Sequence, residues 1–381
     1  MVRTSPSPAD RTLAALSARH GVQVSARHLE RWRSHPLPLL PSHRRDYPGQ
    51  PTGGSSSTAD ERLVDLVVWL ARNRRPGTSR GHLALRAFGD GLPVPEQTVR
   101  EVFVRGAKEM ATELRRGFGE PPEDCDLQEW VYDRADALAA DRERRPGAAE
   151  RRLQTIDRRV QTLLGSAVQA FAAKYDPRAA EAESLDRTDR LYHASVTAMA
   201  GPGELTPDTI ARYARGLVPP GMPQWPARLL ETDPGDPLAA LTTVPVHRLP
   251  GLPENSAANH LYAAALDAPL DQVRAAWTVA GQVPAWAEST CAAVEGALDG
   301  GRPDDVLGRW ATGMVFPVDR PFLTIGLAEP YPTLGQQVRT ALNVLVMVDA
   351  INTVLRVTDD DGRTTMRLLS PPFLLPLLEV D

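Results

Sequence analysis

The 381-residue sequence has only two cysteines, little lysine and no apolar run long enough to cross a bilayer. Cys125 and Cys291 have no His or Cys at metal-ligand spacing nearby, which excludes a disulfide framework and argues against a structural zinc site. Lys108 and Lys174 both follow alanine rather than glycine, so no Walker A loop exists. The most apolar long stretch, ALNVLVMVDAINTVL, is interrupted by Asp349 and Asn352, and MVRTSPSPAD lacks the apolar centre of a signal peptide. The expected location is therefore a reducing cytoplasm, with no membrane partner.

What is present points to a mainly α chain. Ala, Leu, Arg and Glu recur throughout while β-branched runs are few, and 35 prolines announce frequent helix breaks. The length exceeds that of a usual single core, so two or three domains are expected. Charge is distributed unevenly. Residues 1–80 hold 13 Arg against 6 Asp and Glu, a balance of +7, which leaves −12 for the remainder of a chain whose net charge is −5.

RTLAALSARHG reads as a short helix stopped by Gly21. After a tight turn, Ser25 caps a second helix whose inward stripe is Leu29 and Trp32, while Arg27, Glu30, Arg31 and Ser34 project largely outward. Pro36, Pro38 and Pro41 end it, and SHRRDYPGQPTGGSSST follows as either a wing-like hairpin or a flexible loop. ADERLVDLVVWLARN is amphipathic, and SRGHLALRAFGDG with PEQTVREVFVRG repeats the order helix, glycine turn, helix. No internal repeat is evident beyond that order. The expected domains are a basic helix-turn-helix-like unit at 1–110, a helical connector or dimerisation region at 111–216, a boundary at 217–254 holding nine prolines, and a mainly helical region at 255–381. In the last of these, TVLRVT-DDDG-RTTMRLL resembles a small β-hairpin.

Leu153, Ile156, Val160, Leu163 and Ala167 step by 3, 4, 3 and 4, as the seam of a coiled coil does. Two readings fit: a face packed within the protomer, or a homodimer interface flanked by Arg151, Arg152, Asp157, Arg158 and Arg159.

Catalytic motifs are scarce. GTSRG at 77–81 matches G-x-S-x-G, but a nucleophile elbow needs a strand before the serine, and a helix with NRRP precedes Ser79. DDDG at 359–362 lacks calcium-loop spacing and suits a solvated turn. His260 has no identifiable partner for base catalysis and reads as a satisfied helical histidine. Cys125 lies among Glu123, Asp124 and Asp126, an unfavourable setting for a nucleophilic thiolate. No cofactor and no bound metal are expected.

The basic N-terminal unit remains. Duplex DNA recognition needs cations against phosphates and a slim helix with a few side chains facing base edges. The second helix meets both needs, and its order of elements is that of a helix-turn-helix. VSARHLERWRSHPLPLLP resembles the start of MerR-type DNA-binding domains, in which a V-S-x-R-x-L-R-x-Y/W core leads into Leu-Leu-Pro; Val24, Ser25, Arg27, Leu29, Trp32, Leu39, Leu40 and Pro41 occupy the matching places. The resemblance covers about the first 110 residues and is motif-like over the first 40. It implies a winged helix-turn-helix that binds double-stranded DNA as a homodimer through a long helix following the domain, a role open to the 153–167 seam. Arg44, Arg45 and Tyr47 of RRDYPG fall where wing contacts are expected, although the family's Gly-Tyr-Arg is replaced there. Metal sensing is not implied, because no cysteine lies near the dimer helix.

The expectation is a sequence-specific transcriptional regulator. Ser25, Arg27 and Arg31 face DNA, Arg33, Arg44, Arg45 and Tyr47 position its backbone, and the acidic C-terminal region receives a protein or small-molecule effector. Two alternatives stand beside it: a scaffold whose helix-turn-helix-like module binds protein, and an enzyme with a site in the C-terminal region.

Overall fold

The computed structural model describes residues 7–42, 45–46, 56–57, 60–119, 146–175, 243–301, 305–315, 318–328, 333–357 and 370–378, with isolated positions between them. The chain is mainly helical and divides into two compact units, Met1–Arg105 and Gly106–Asp381. Among the described residues no helix is long and apolar enough to cross a membrane.

The first unit opens with α1 (Pro8–Arg19), where Ser7 accepts the Asp10 amide and Pro8 occupies the first turn, a position in which no N–H is needed. It continues with α2 (Ala26–Arg33), a two-residue antiparallel ladder of β1 (Arg45–Asp46) with β2 (Ser56–Ser57), α3 (Leu63–Asn73), α4 (Arg80–Gly89) and α5 (Glu96–Phe118), which runs on beyond Arg105. Leu13, Leu29, Trp32, Leu40, Leu66, Leu70 and Leu83 meet in one core. Each fully buried leucine of this kind stabilises the unit by about 1.5–3 kcal/mol.

The same turn occurs twice. Gly21 and Gly91 take φ of +73° and +82°, the left-handed region that favours glycine. In each turn the next amide reaches back five residues, Val22 N–H to Ser17 O at 3.2 Å and Leu92 N–H to Ala87 O at 3.0 Å. Leu13, Ala14, Gly21 and Val24 recur as Leu83, Ala84, Gly91 and Val94. A repeat this sparse is hidden in sequence, because the turn needs one glycine and a few apolar contacts and leaves the other positions unconstrained.

In the second unit, α6 (Ala148–Tyr175) packs on α9 (Val283–Gly300) and α10 (Asp305–Val315). Leu153, Ile156 and Val160 join Cys291, Val294, Leu298, Leu307, Trp310 and Met314 in the core. The flanking charges are also used inside the protomer: Arg152 bonds both carboxylate oxygens of Glu295 at 2.9 and 3.0 Å, and Arg159 meets Asp299 at 2.7 Å. Leu163 is 41% exposed and Ala167 lies at the surface. Of the two readings of the seam, this packing realises the intramolecular one for its first three positions, and the dimer-interface assignment of Leu153, Ile156 and Val160 is corrected accordingly.

The remaining helices are α7 (Ala257–Asp267), α8 (Leu270–Ala280), α11 (Arg320–Gly326) and α12 (Leu334–Val357), with a 3-10 turn at Leu375–Leu377. α7 and α8 pack on α12, and α11 packs on α9. Gly326 permits the second contact: a Cβ there would lie 2.7 Å from Ala287 Cβ and 2.9 Å from Val283 O. The expected hairpin over 353–369 is not formed. α12 continues through Val357, and residues 363, 364 and 367 are helical; DDDG lies outside the described residues. Local β-propensity is outweighed because Ile351 and Leu355 extend the buried face of α12 by one more turn.

A polar cluster crosses this core. Asp157 accepts from Trp310 Nε1 at 3.0 Å and from both terminal nitrogens of Arg320 at 2.9 and 2.5 Å, and the guanidinium lies 4.8 Å from the Trp310 ring centre. Beside it Asp319 is half-buried as a residue, but its Oδ1 is shielded from solvent and unpartnered, and its carboxylate packs where a Cβ on Gly313 would stand.

Candidate nucleic-acid interface

Helix α2 is short and depends on its ends. Ser25 is extended at φ −82°, ψ 154°, and its Oγ accepts the His28 amide at 3.3 Å. At the other end the chain folds back, so that Leu39 and Leu40 amides both donate to Trp32 O, at 2.6 and 3.1 Å. Arg80, at the start of α4, donates to Ser34 O at 2.8 Å and Ser34 Oγ at 3.0 Å. Leu29 and Trp32 are buried, and the opposite face leaves Ser25, Arg27, His28, Glu30 and Arg31 exposed. An arginine cation held at the surface of a capped, core-anchored helix is suited to phosphate or to the acceptor edge of guanine.

The predicted residues do not all share that face. Arg33 points elsewhere: its Nη1 pairs with Asp10 Oδ1 at 2.5 Å, its Nε donates to Pro41 O at 3.2 Å, and its side chain is only 12% exposed. It ties α1 to the segment after α2, and its assignment as a backbone-positioning contact is corrected. Arg45 contributes its backbone to β1 opposite Ser57, and Arg44 and Tyr47 lie outside the described residues.

The second helix-glycine-helix pair offers a control within the same unit. α5 starts after Gly91 as α2 starts after Gly21, yet it presents Glu96, Gln97 and Glu101, with Arg100 paired to Glu96 at 2.7 Å. Its first turn is also anchored inward, where Thr98 Oγ1 donates to Pro38 O at 2.5 Å. Geometry alone therefore does not single out α2; the sign of its exposed charge does.

Sequence reasoning overlooked His28. Its Nδ1 lies 3.1 Å from Ser25 Oγ and its ring stacks on Trp32, with centres 6.2 Å apart and planes 29° apart. The i, i+3 spacing from Ser25 and the i, i+4 spacing to Trp32 were the available signals.

Elsewhere, the dismissed motifs have structural roles. Ser79 caps α4 by accepting the His82 amide at 3.2 Å, with helix α3 and a turn before it instead of a strand. His260 Nε2 bonds Asn255 Oδ1 at 2.7 Å, and burial holds the imidazole below its ordinary pKa despite the nearby charge of Asp349. The Cys291 thiol is fully buried and pushed up to about 11 by desolvation. An open groove of about 730 Å³ is lined by Val279, Trp286, Phe373 and Leu377, with Asp271 and Arg274 as its charged members. Among the described residues no group of three His, Cys, Asp or Glu is placed to hold a metal ion. Compared with known proteins, the chain matches no family model, no curated protein and no solved structure.

Proposed function

We propose that the first unit is a sequence-specific double-stranded-DNA-binding module of a transcriptional regulator, with α2 as its reading helix. The observation that carries this is the outward face of α2: Arg27 and Arg31 are exposed one turn apart on a helix whose opposite side is fixed by Leu29 and Trp32. The order of α1, a left-handed glycine, α2 and a short β ladder supports a winged helix-turn-helix, as does the resemblance of residues 24–41 to MerR-type domains. Selectivity on a two-fold site calls for a second copy, because one short helix reads few bases. Leu153, Ile156 and Val160 are occupied within the protomer, so the copies must meet elsewhere.

The test is fluorescence anisotropy of the full chain with labelled duplexes from its own upstream region, across a salt series. Binding should weaken linearly in log salt, with a slope of about −0.9 per phosphate neutralised. Arg27→Ala with Arg31→Ala should weaken binding while the fold is retained, since exposed substitutions change stability by only about 0.5 kcal/mol. Unchanged affinity in the folded double variant refutes the assignment of α2.

A further inference from the structure

We propose that His28 is a specificity-determining residue of α2, a fixed hydrogen-bond donor that selects guanine in the major groove. This rests on the DNA-binding reading of the same helix. His28 is the third residue of α2, and helix-turn-helix proteins meet base edges with the N-terminal residues of the reading helix. At about 100° per residue, Arg27 and Arg31 project within about 40° of each other, with His28 about 60° to one side and Glu30 about 60° to the other. The imidazole thus flanks the arginine pair instead of facing the core.

The tautomer of the ring decides which proton it offers. Ser25 Oγ accepts the His28 amide and lies 3.1 Å from Nδ1, and the proposed donor is the tautomer in which the serine hydroxyl donates to that ring nitrogen. In that tautomer Nδ1 accepts and the ring offers Nε2–H, at its far side. Stacking on Trp32, itself only 4% exposed, fixes the ring plane. A donor held by two contacts before binding loses little freedom on binding. Together with two guanidinium groups it makes three adjacent donors. Guanine presents O6 and N7, both acceptors; adenine sets an N6 donor beside N7, and cytosine offers an N4 donor. Ser25 is a positioning residue, because it acts through the ring.

The experiment is selection of a random-sequence duplex library on the full chain, followed by titration of the enriched duplex. The enriched site should contain a guanine whose replacement by adenine weakens binding by about tenfold in the parent. His28→Ala should bind both duplexes alike at that base pair while keeping the parent's salt slope and its discrimination elsewhere. His28→Arg, which again offers only donors, should restore the preference for guanine. A residue that merely covers Trp32 predicts a loss of stability in His28→Ala without a position-specific change. If His28→Ala enriches the same sequence with the same discrimination, the His28 assignment falls and the DNA reading stands. If the parent enriches nothing and binds no duplex at low salt, both fall.

Discussion

Asp319 gives the second unit a stability that should fall as pH rises. Burial pushes its carboxyl from an ordinary value of 3.8 up to about 6, against the opposing pull of the Arg320 and Arg309 charges. The folded protein therefore holds this proton more tightly than the unfolded chain does. The associated stability is fully present below the unfolded pKa and is lost as pH rises through about 6. The whole loss amounts to about 3 kcal/mol for this displacement of pKa, a large part of the stability of an ordinary domain. Asp319→Asn keeps the shape and removes the titration. Because Oδ1 is buried without a partner and Gly313 leaves room for both oxygens, the amide fits, and any cost of its N–H groups is independent of pH. Urea unfolding followed by circular dichroism from pH 4 to pH 7.5 should then show the variant gaining on the parent by about 2–3 kcal/mol across the series. His260, held low by burial, contributes in the opposite direction, since its stability grows with pH; it is common to both proteins and cancels in the difference. Parallel curves for parent and variant would refute the reasoning.

Two further substitutions test the packing. Arg33→Ala removes the tie to Asp10 and Pro41 and should lower the stability of the first unit by about 1–3 kcal/mol, while the salt slope of DNA binding stays that of the parent; a flattened slope would return Arg33 to the interface. Gly326→Ala forces a methyl against Ala287 and the Val283 carbonyl and should cost about 1–3 kcal/mol, read as a lower urea midpoint with the same slope. An unchanged midpoint would mean that α11 and α9 have room to separate.

The local features are legible in the amino-acid order alone. Helix class, the Ser25 cap, the glycine stop at Gly21 and the inward stripe of Leu29 and Trp32 follow from propensity, capping chemistry and the 3.6-residue period, all of which act within a few residues. The outward placement of Arg27 and Arg31 follows from the same period once the stripe is located. Whatever depends on a partner far away in the chain becomes visible only once the helices are packed. Periodicity announces that Leu153, Ile156 and Val160 are buried, but a heptad-like face looks the same whether α9 and α10 or a second copy covers it. Arg33 reads as one more cation on a basic helix until Asp10, 23 residues earlier, is brought beside it. The 353–369 stretch has hairpin chemistry, and only the packing of α12 shows that its first residues gain more by extending a buried helical face. The Asp157, Arg320 and Asp319 cluster joins residues some 160 positions apart, since buried charge is tolerated only where the fold supplies its counter-charge.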